Sequence, residues 1–244
     1  MKYGVLGDIH GNLSALELAV RRLKCLGAES FISVGDVVGY GAAPRECIAL
    51  LREIGAHVVQ GNHDAAVAGK LELTYFNSYA KDAVLWTRQQ MSREELNWIC
   101  GLPLVLELQH CAVAHGALHR PERFDYILGV GDAEASLDEL RLPVCFVGHS
   151  HVPITILRHT EAPNQTSHSP DLTLDLADCC GALVNVGSVG QPRDEDPRTA
   201  FALFDAESGT VEILREEYDI EREATRIRRA GLPSMLADRL YLGI

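Results

Sequence analysis

Seven side chains in this sequence combine types and spacings that suit a cation. They are Asp8 and His10 in "GDIH", Asp36 in "GD", Asn62 in "GNHD", His115 in "HG", and His149 and His151 in "GHSH". Two carboxylates, one carboxamide and four imidazoles, without a thiolate, form a mixed oxygen and nitrogen donor set suited to manganese, iron or zinc. One ion takes about four to six ligands, so this set suits two ions sharing a carboxylate, with Asp36 as the candidate bridge. Paired ions about 3.5–4 Å apart are the usual clamp for phosphoester hydrolysis. Singly, each motif reads more simply, as a turn, a core histidine or a chance H-x-H. Their joint occurrence, in order, is what a structural reading does not explain.

The elements that must position these residues are legible in the apolar runs before them. "KYGVLG" (2–7), "SFISVG" (30–35) and "HVVQG" (57–61) read as strands ending in Asp8-x-His10, Asp36 and Asn62-His63-Asp64. Between them lie a helix from about Ser14 to Leu26, with a Ser14/Glu17 capping box and a Gly27 stop, and a helix opened by Pro44 that ends before Gly55. This alternation predicts a parallel α/β sheet. Residues 77–99 read as helical, with Ser92 and Glu95 as a second capping box. From 104 onward "LVLEL", "CAVAHG", "VCFVGH", "ALVNVG", "AFALFD" and "TVEILREE" read as strands, with one helix at 132–141. Two sheets packed together with helices outside are expected. Residues 159–171 read as an exposed loop and 220–241 as a helix broken near "GLP". Ligand sites in parallel α/β sheets lie beyond the carboxyl ends of the strands, so the motifs should converge there. Extended backbone would point each of Asp8/His10 and His149/His151 to one side.

Composition narrows the classes. The chain has 244 residues and a formal net charge of -12, so no general nucleic-acid surface is implied. Its seven cysteines form no C-x-x-C pair, which argues against a disulfide framework or a thiolate zinc site. No signal peptide and no membrane-spanning window is read, and a cytoplasmic protein is the default expectation.

In its D-x-H, G-D, G-N-H-D, H and G-H-x-H pattern over residues 8–151, the chain resembles the calcineurin-like metallophosphoesterases. The stretches 75–103, "NVGSVGQPRD" and "IRRAGLPSMLADRL" resemble a bacterial subgroup of predicted phosphodiesterases. The resemblance implies an α/β fold of two mixed β-sheets packed as a sandwich flanked by helices, the metallo-dependent phosphatase fold. A metallophosphoesterase domain is expected over 1–215, with a helical tail, 216–244, packed on that domain or on a neighbour. It also implies two divalent metal ions, manganese favoured over iron or zinc. Asp8, His10 and His151 would hold one, Asn62, His115 and His149 the other, with Asp36 bridging. A metal-bridging hydroxide would attack phosphorus, and His63 would protonate the leaving group; the simpler role for His63 is structural support.

Other residues stay open on the sequence. Arg193 either meets the substrate phosphate or pairs with Asp194 or Asp196. Asn12 either approaches the phosphate or caps the helix that begins there, and capping is preferred. Tyr40, Tyr75, Phe76, Tyr79 and Trp86 either line a substrate wall or pack in the core. Related protein phosphatases and diadenosine tetraphosphate hydrolases carry G-D-x-x-D-R-G, where this chain has Gly39 and Tyr40 in place of the second Asp and the Arg. Fewer cationic contacts favour a phosphodiesterase acting on a small phosphoester. A phosphomonoesterase and a non-catalytic protein-binding scaffold are the alternatives. Specificity is expected from residues 65–100 and 117–131, and oligomerisation is possible.

Overall fold

Adjacent residues of the first strand, Val5 and Leu6, are both fully buried but face two different apolar layers. That is why the segment reads as a continuous apolar run: it is covered on both faces. In the computed structural model, which describes all 244 residues except the side chain of Tyr75, this strand is β1 (Lys2–Leu6). It is followed by α1 (Leu13–Cys25), β2 (Ser30–Ser33), α2 (Pro44–Glu53), β3 (His57–Val58) and α3 (Asn62–Val67). Then come α4 (Ser78–Gln90), α5 (Arg93–Cys100), β4 (Val105–Glu107), β5 (Ala112–Ala114), α6 (Val130–Glu139) and β6 (Val144–Val147). The rest is β7 (Ile154–His159), β8 (Thr166–Ser169), β9 (Thr173–Asp175), β10 (Cys179–Asn185), β11 (Thr199–Asp205), β12 (Thr210–Glu216), α7 (Ile220–Arg229) and α8 (Ser234–Leu242).

The strands form two mixed six-stranded sheets, ordered β3-β2-β1-β11-β12-β9 and β4-β5-β6-β10-β7-β8. In the first, β1, β2 and β3 are parallel; in the second, β5, β6 and β10 are. Val5, Ile32, Val34, Val113, Phe146, Val184, Ala202 and Phe204 fill the layer between the sheets. Leu6, Leu16, Leu23, Ile48 and Phe201 build the layer under the helices of the first sheet, and Leu137, Cys145 and Leu183 that beside α6. The α/β sandwich flanked by helices is the expected fold, and the parallel strands all deliver their carboxyl ends to one edge.

Local signals held unevenly. Pro44 opens α2, and Ser92 with Glu95 forms the capping box of α5. At α1 the cap is Asn12, whose Oδ1 accepts from the Ala15 N–H at 3.1 Å. Ser14 is no N-cap, because its hydroxyl and N–H both donate to buried Glu223 of α7, at 2.6 and 3.1 Å. The expected loop at 159–171 holds strand β8, paired antiparallel with β7. β8 lies at the sheet edge with partly exposed polar residues, and an edge strand of that composition looks like a loop in sequence. The third strand shortens to two residues, because the Gln60 N–H turns to the Pro103 carbonyl and Gly61 then caps α3. The final helices break at Gly231–Pro233, and α7 and α8 bury Ala224, Ile227, Leu236 and Leu240 against Tyr40, Ala80 and Ala83. Among the described residues, no helix is long and apolar enough to cross a membrane.

Candidate metal centre

The chain reverses direction at the ends of β1, β2 and β6, and the reversal falls on the candidate ligands themselves. Asp8 (φ 37°), His10 (48°), Asp36 (49°), His149 (70°) and His151 (63°) all lie in the left-handed region. Extended backbone therefore does not align Asp8 with His10, or His149 with His151, as the sequence reading assumed. Tight turns do so instead, pinned by hydrogen bonds from His10 N–H to the Asp36 carbonyl (2.8 Å) and from Gly11 N–H to the Val37 carbonyl (2.9 Å). The His149 N–H donates to the Asp8 carboxylate at 3.0 Å. Strain of this kind costs about 1–3 kcal/mol per residue and persists only where the surroundings over-determine it.

These turns bring all seven predicted residues together. Donor atoms of Asp8, His10, Asp36 and His151 lie within 4.8 Å of one another, as do those of Asp36, His115 and His149. Asn62 joins the second group, its Oδ1 standing 3.0 Å from His115 Nε2. Asp36 belongs to both: its Oδ2 lies 3.5 Å from His10 Nε2 and 3.4 Å from His115 Nε2. Its other oxygen accepts from the His63 N–H at 2.8 Å.

The imidazoles are oriented as ligands need to be. Nδ1 of His10 faces the Val38 carbonyl (3.1 Å), that of His115 the Val34 carbonyl (2.9 Å) and that of His151 the Gln191 carbonyl (2.6 Å). A carbonyl can only accept, so each Nδ1 carries the proton and each Nε2 is turned inward. Burial lowers His10 and His151 well below the ordinary histidine pKa, so both are neutral. Their bare Nε2 lone pairs then face each other at 3.0 Å, an approach that two acceptors tolerate only with a cation between them. In the second group burial also opposes charge on His115, but the Asp36 carboxylate outweighs it and raises the ring to about 9. There a proton does the work of a cation. Burial raises Asp8 to about 7, and for Asp36 the His115 and His63 rings overcome burial and hold it well below the usual range. The donor set and its geometry fit divalent ions.

His63, at the start of α3, packs against His10, Tyr40 and Phe76 with ring centroids 4.8, 4.4 and 5.0 Å away. Burial lowers it to about 4. Its Nδ1 is buried without a hydrogen-bond partner, and a Cβ on Gly39 (φ +91°) would lie 2.5 Å from it. So this chain leaves no room at position 39 for an orienting carboxylate. Asp64 instead braces the turn, accepting from the N–H groups of Gly61 (3.1 Å) and Val38 (3.2 Å). Arg193 lies over Tyr40, Cζ 5.5 Å from the ring centroid, and donates to Gln191 Oε1 at 2.9 Å. Asp194 and Asp196 pair with Arg215 and Arg198 instead, and the buried Arg193 Nε has no partner among the described residues. Asn12 both caps α1 and donates to the Gly190 carbonyl and the Tyr218 hydroxyl. Of the candidate wall aromatics, Tyr40 and Phe76 reach His63, Trp86 packs beneath the C-terminal helices, Tyr79 is exposed, and the Tyr75 side chain lies outside the described residues.

Sequence reasoning passed over the aromatic residues of 117–129. Tyr126 stacks on His149 (3.8 Å, 19°), and Phe124 meets His115 edge-on (5.9 Å, 72°). Their only sequence signal was membership of a loop of unreadable conformation.

A family model described as the calcineurin-like phosphoesterase superfamily domain matches residues 1–209. An uncharacterised protein of Methanocaldococcus jannaschii is 37% identical over 245 residues, covering 98% of this chain and 97% of that one. The crystal structure of a metallophosphoesterase from Sphaerobacter thermophilus is 34% identical, covers 100% of both chains and superposes with a TM-score of 0.87. A hypothetical protein of Pyrococcus horikoshii shares the fold at a TM-score of 0.80 and 24% identity, covering 100% of this chain and 98% of that one. The chain belongs to the calcineurin-like phosphoesterase superfamily.

Proposed function

We propose that this chain is a metal-dependent phosphodiesterase acting on a small phosphoester. Two divalent ions, manganese favoured over iron or zinc, would be held by Asp8, His10, His151 and Asp36 on one side and Asn62, His115, His149 and Asp36 on the other. The observation that carries the reading is the pair of neutral imidazoles, His10 and His151, whose inward nitrogens approach to 3.0 Å beside the shared Asp36. When bound, the ions supply a water acidified toward neutrality and positive charge for the phosphoryl oxygens.

The protein's own groups do the rest. Asp36 orients both ligand groups and fixes His63 through its N–H. His63 is neutral in the resting site; negative charge arriving with a phosphoryl group raises its pKa, the ring takes up a proton from solvent water, and it then passes that proton to the leaving oxygen. Arg193, whose guanidinium lies over Tyr40, donates to a non-bridging oxygen. One guanidinium beside Tyr40 suits a diester monoanion better than a monoester dianion.

The test strips the protein with chelator, restores manganese, and compares bis(p-nitrophenyl) phosphate with p-nitrophenyl phosphate. Diester turnover that outpaces the monoester and collapses in Asp36→Asn and His63→Ala supports the reading. Faster monoester turnover makes the chain a phosphatase, and no turnover with manganese, iron or zinc favours the scaffold.

A further inference from the structure

We propose that Tyr126 is a stacking platform for an aromatic group carried by the phosphoester, such as a nucleobase or aryl ring. This deepens the phosphoesterase reading and rests on it for the position of phosphorus.

One face of the Tyr126 ring lies flat on His149, yet the residue is 49% exposed while His149 is only 7% exposed. The ring thus covers a candidate ligand with one side and offers the other to solvent at the mouth of the site. Leu128, two residues on, is 67% exposed and extends the apolar surface outward.

The loop is held in this posture. Arg120 (φ 51°) and Phe124 (φ 52°) are left-handed, and Asp132 accepts from the N–H of Leu128 at 3.0 Å. At Gly116, next to His115, a Cβ would meet the Asp125 carbonyl oxygen at 2.7 Å, so glycine there lets the loop close onto the second ligand group. A platform set in advance loses little entropy on binding. An aromatic ring stacked on the outer face of Tyr126 would have its centroid about 4.5–7 Å beyond it, within reach of a phosphorus bound beside His149. Every base or aryl ring has a π-face, so the platform selects aromatic over aliphatic esters without reading base identity.

Calorimetry on the manganese-loaded protein tests this with phosphonates, whose C–P bond is not hydrolysed. Nucleoside phosphonates, whose bases lie several bonds from phosphorus, are compared with methylphosphonate, in the wild type, Tyr126→Phe and Tyr126→Ser. The wild type and Tyr126→Phe should prefer the aromatic ligands by about tenfold or more. Tyr126→Ser should bring the ratio close to one, with manganese content equal to that of the wild type. A preference that survives in Tyr126→Ser, or that is absent from the wild type, overturns the proposal. Because binding needs no turnover, a protein that binds these ligands as expected but hydrolyses no ester would refute the function while leaving the platform standing.

Discussion

The two ligand groups share Asp36 but are built differently. Asp8, His10 and His151 sit beneath Tyr40 and the C-terminal helices, and their ring nitrogens are left bare. His115 and His149 lie under a loop that carries exposed aromatic and aliphatic surface, with Asn62 beside them. One half is a cage set into the fold and the other is more open, with Asn62 half-buried and Tyr126 exposed at its edge. The contrast teaches that similar ligand chemistry can be mounted on unequal supports, one enclosed and one open to solvent.

The sharpest way to break the comparison is to remove what the halves share. Asp36→Asn should lower kcat/KM by about a thousandfold or more and reduce bound ions in both groups, read by turnover and by metal analysis. If one ion remains at full occupancy, Asp36 is not shared. Next comes the roof of the first half. Gly39→Ala places a methyl group against His63 Nδ1 and should cost about a hundredfold in turnover with ion content unchanged. A variant as active as the wild type would remove His63 from the reaction.

The pH dependence of stability separates the halves by sign. Without ions, the imidazoles of His10, His63, His149 and His151 have lowered pKa values and gain protons only on unfolding. Between about pH 4 and 6.5 they outweigh the buried Asp8 and Asp64, so stability rises with pH. Above about 6.5 the unfolded chain has released the protons that Asp8, Asp64 and His115 still hold, so stability falls toward pH 9. Thermal midpoints of chelated protein should therefore peak near pH 6.5. Manganese takes the place of the protons on Asp8 and His115, so the alkaline decline should flatten, and unchanged profiles would count against a cation at either group. The smallest effect is Asn12→Ala, which should cost about 1 kcal/mol in denaturant unfolding through the lost cap of α1.

The fold and the convergence of the seven candidate ligands were legible because each follows an apolar run, and parallel strands must send their ends to one edge. The left-handed turns at Asp8, His10 and His149 were not legible, since Asp and His tolerate that conformation without requiring it. β8 was hidden because polar edge strands and loops share a composition. Tyr126 and Glu223 were missed for a common reason. Each acts across a long sequence separation, on His149 and Ser14, and leaves no periodicity near its own position.

Pairing of β1 with β11 has a consequence in time. Leu6 aligns with Phe201, so the strand that delivers Asp8 and His10 has its antiparallel neighbour far later in the chain. At ribosomal speeds of about 5–20 residues per second, that partner follows roughly 10–40 s later. Until then the loop after β1 has only its parallel neighbour β2 beside it, and an ion captured early would have to be held by fewer ligands. The loop that carries Asp8 and His10 is thus made long before it can take its working shape.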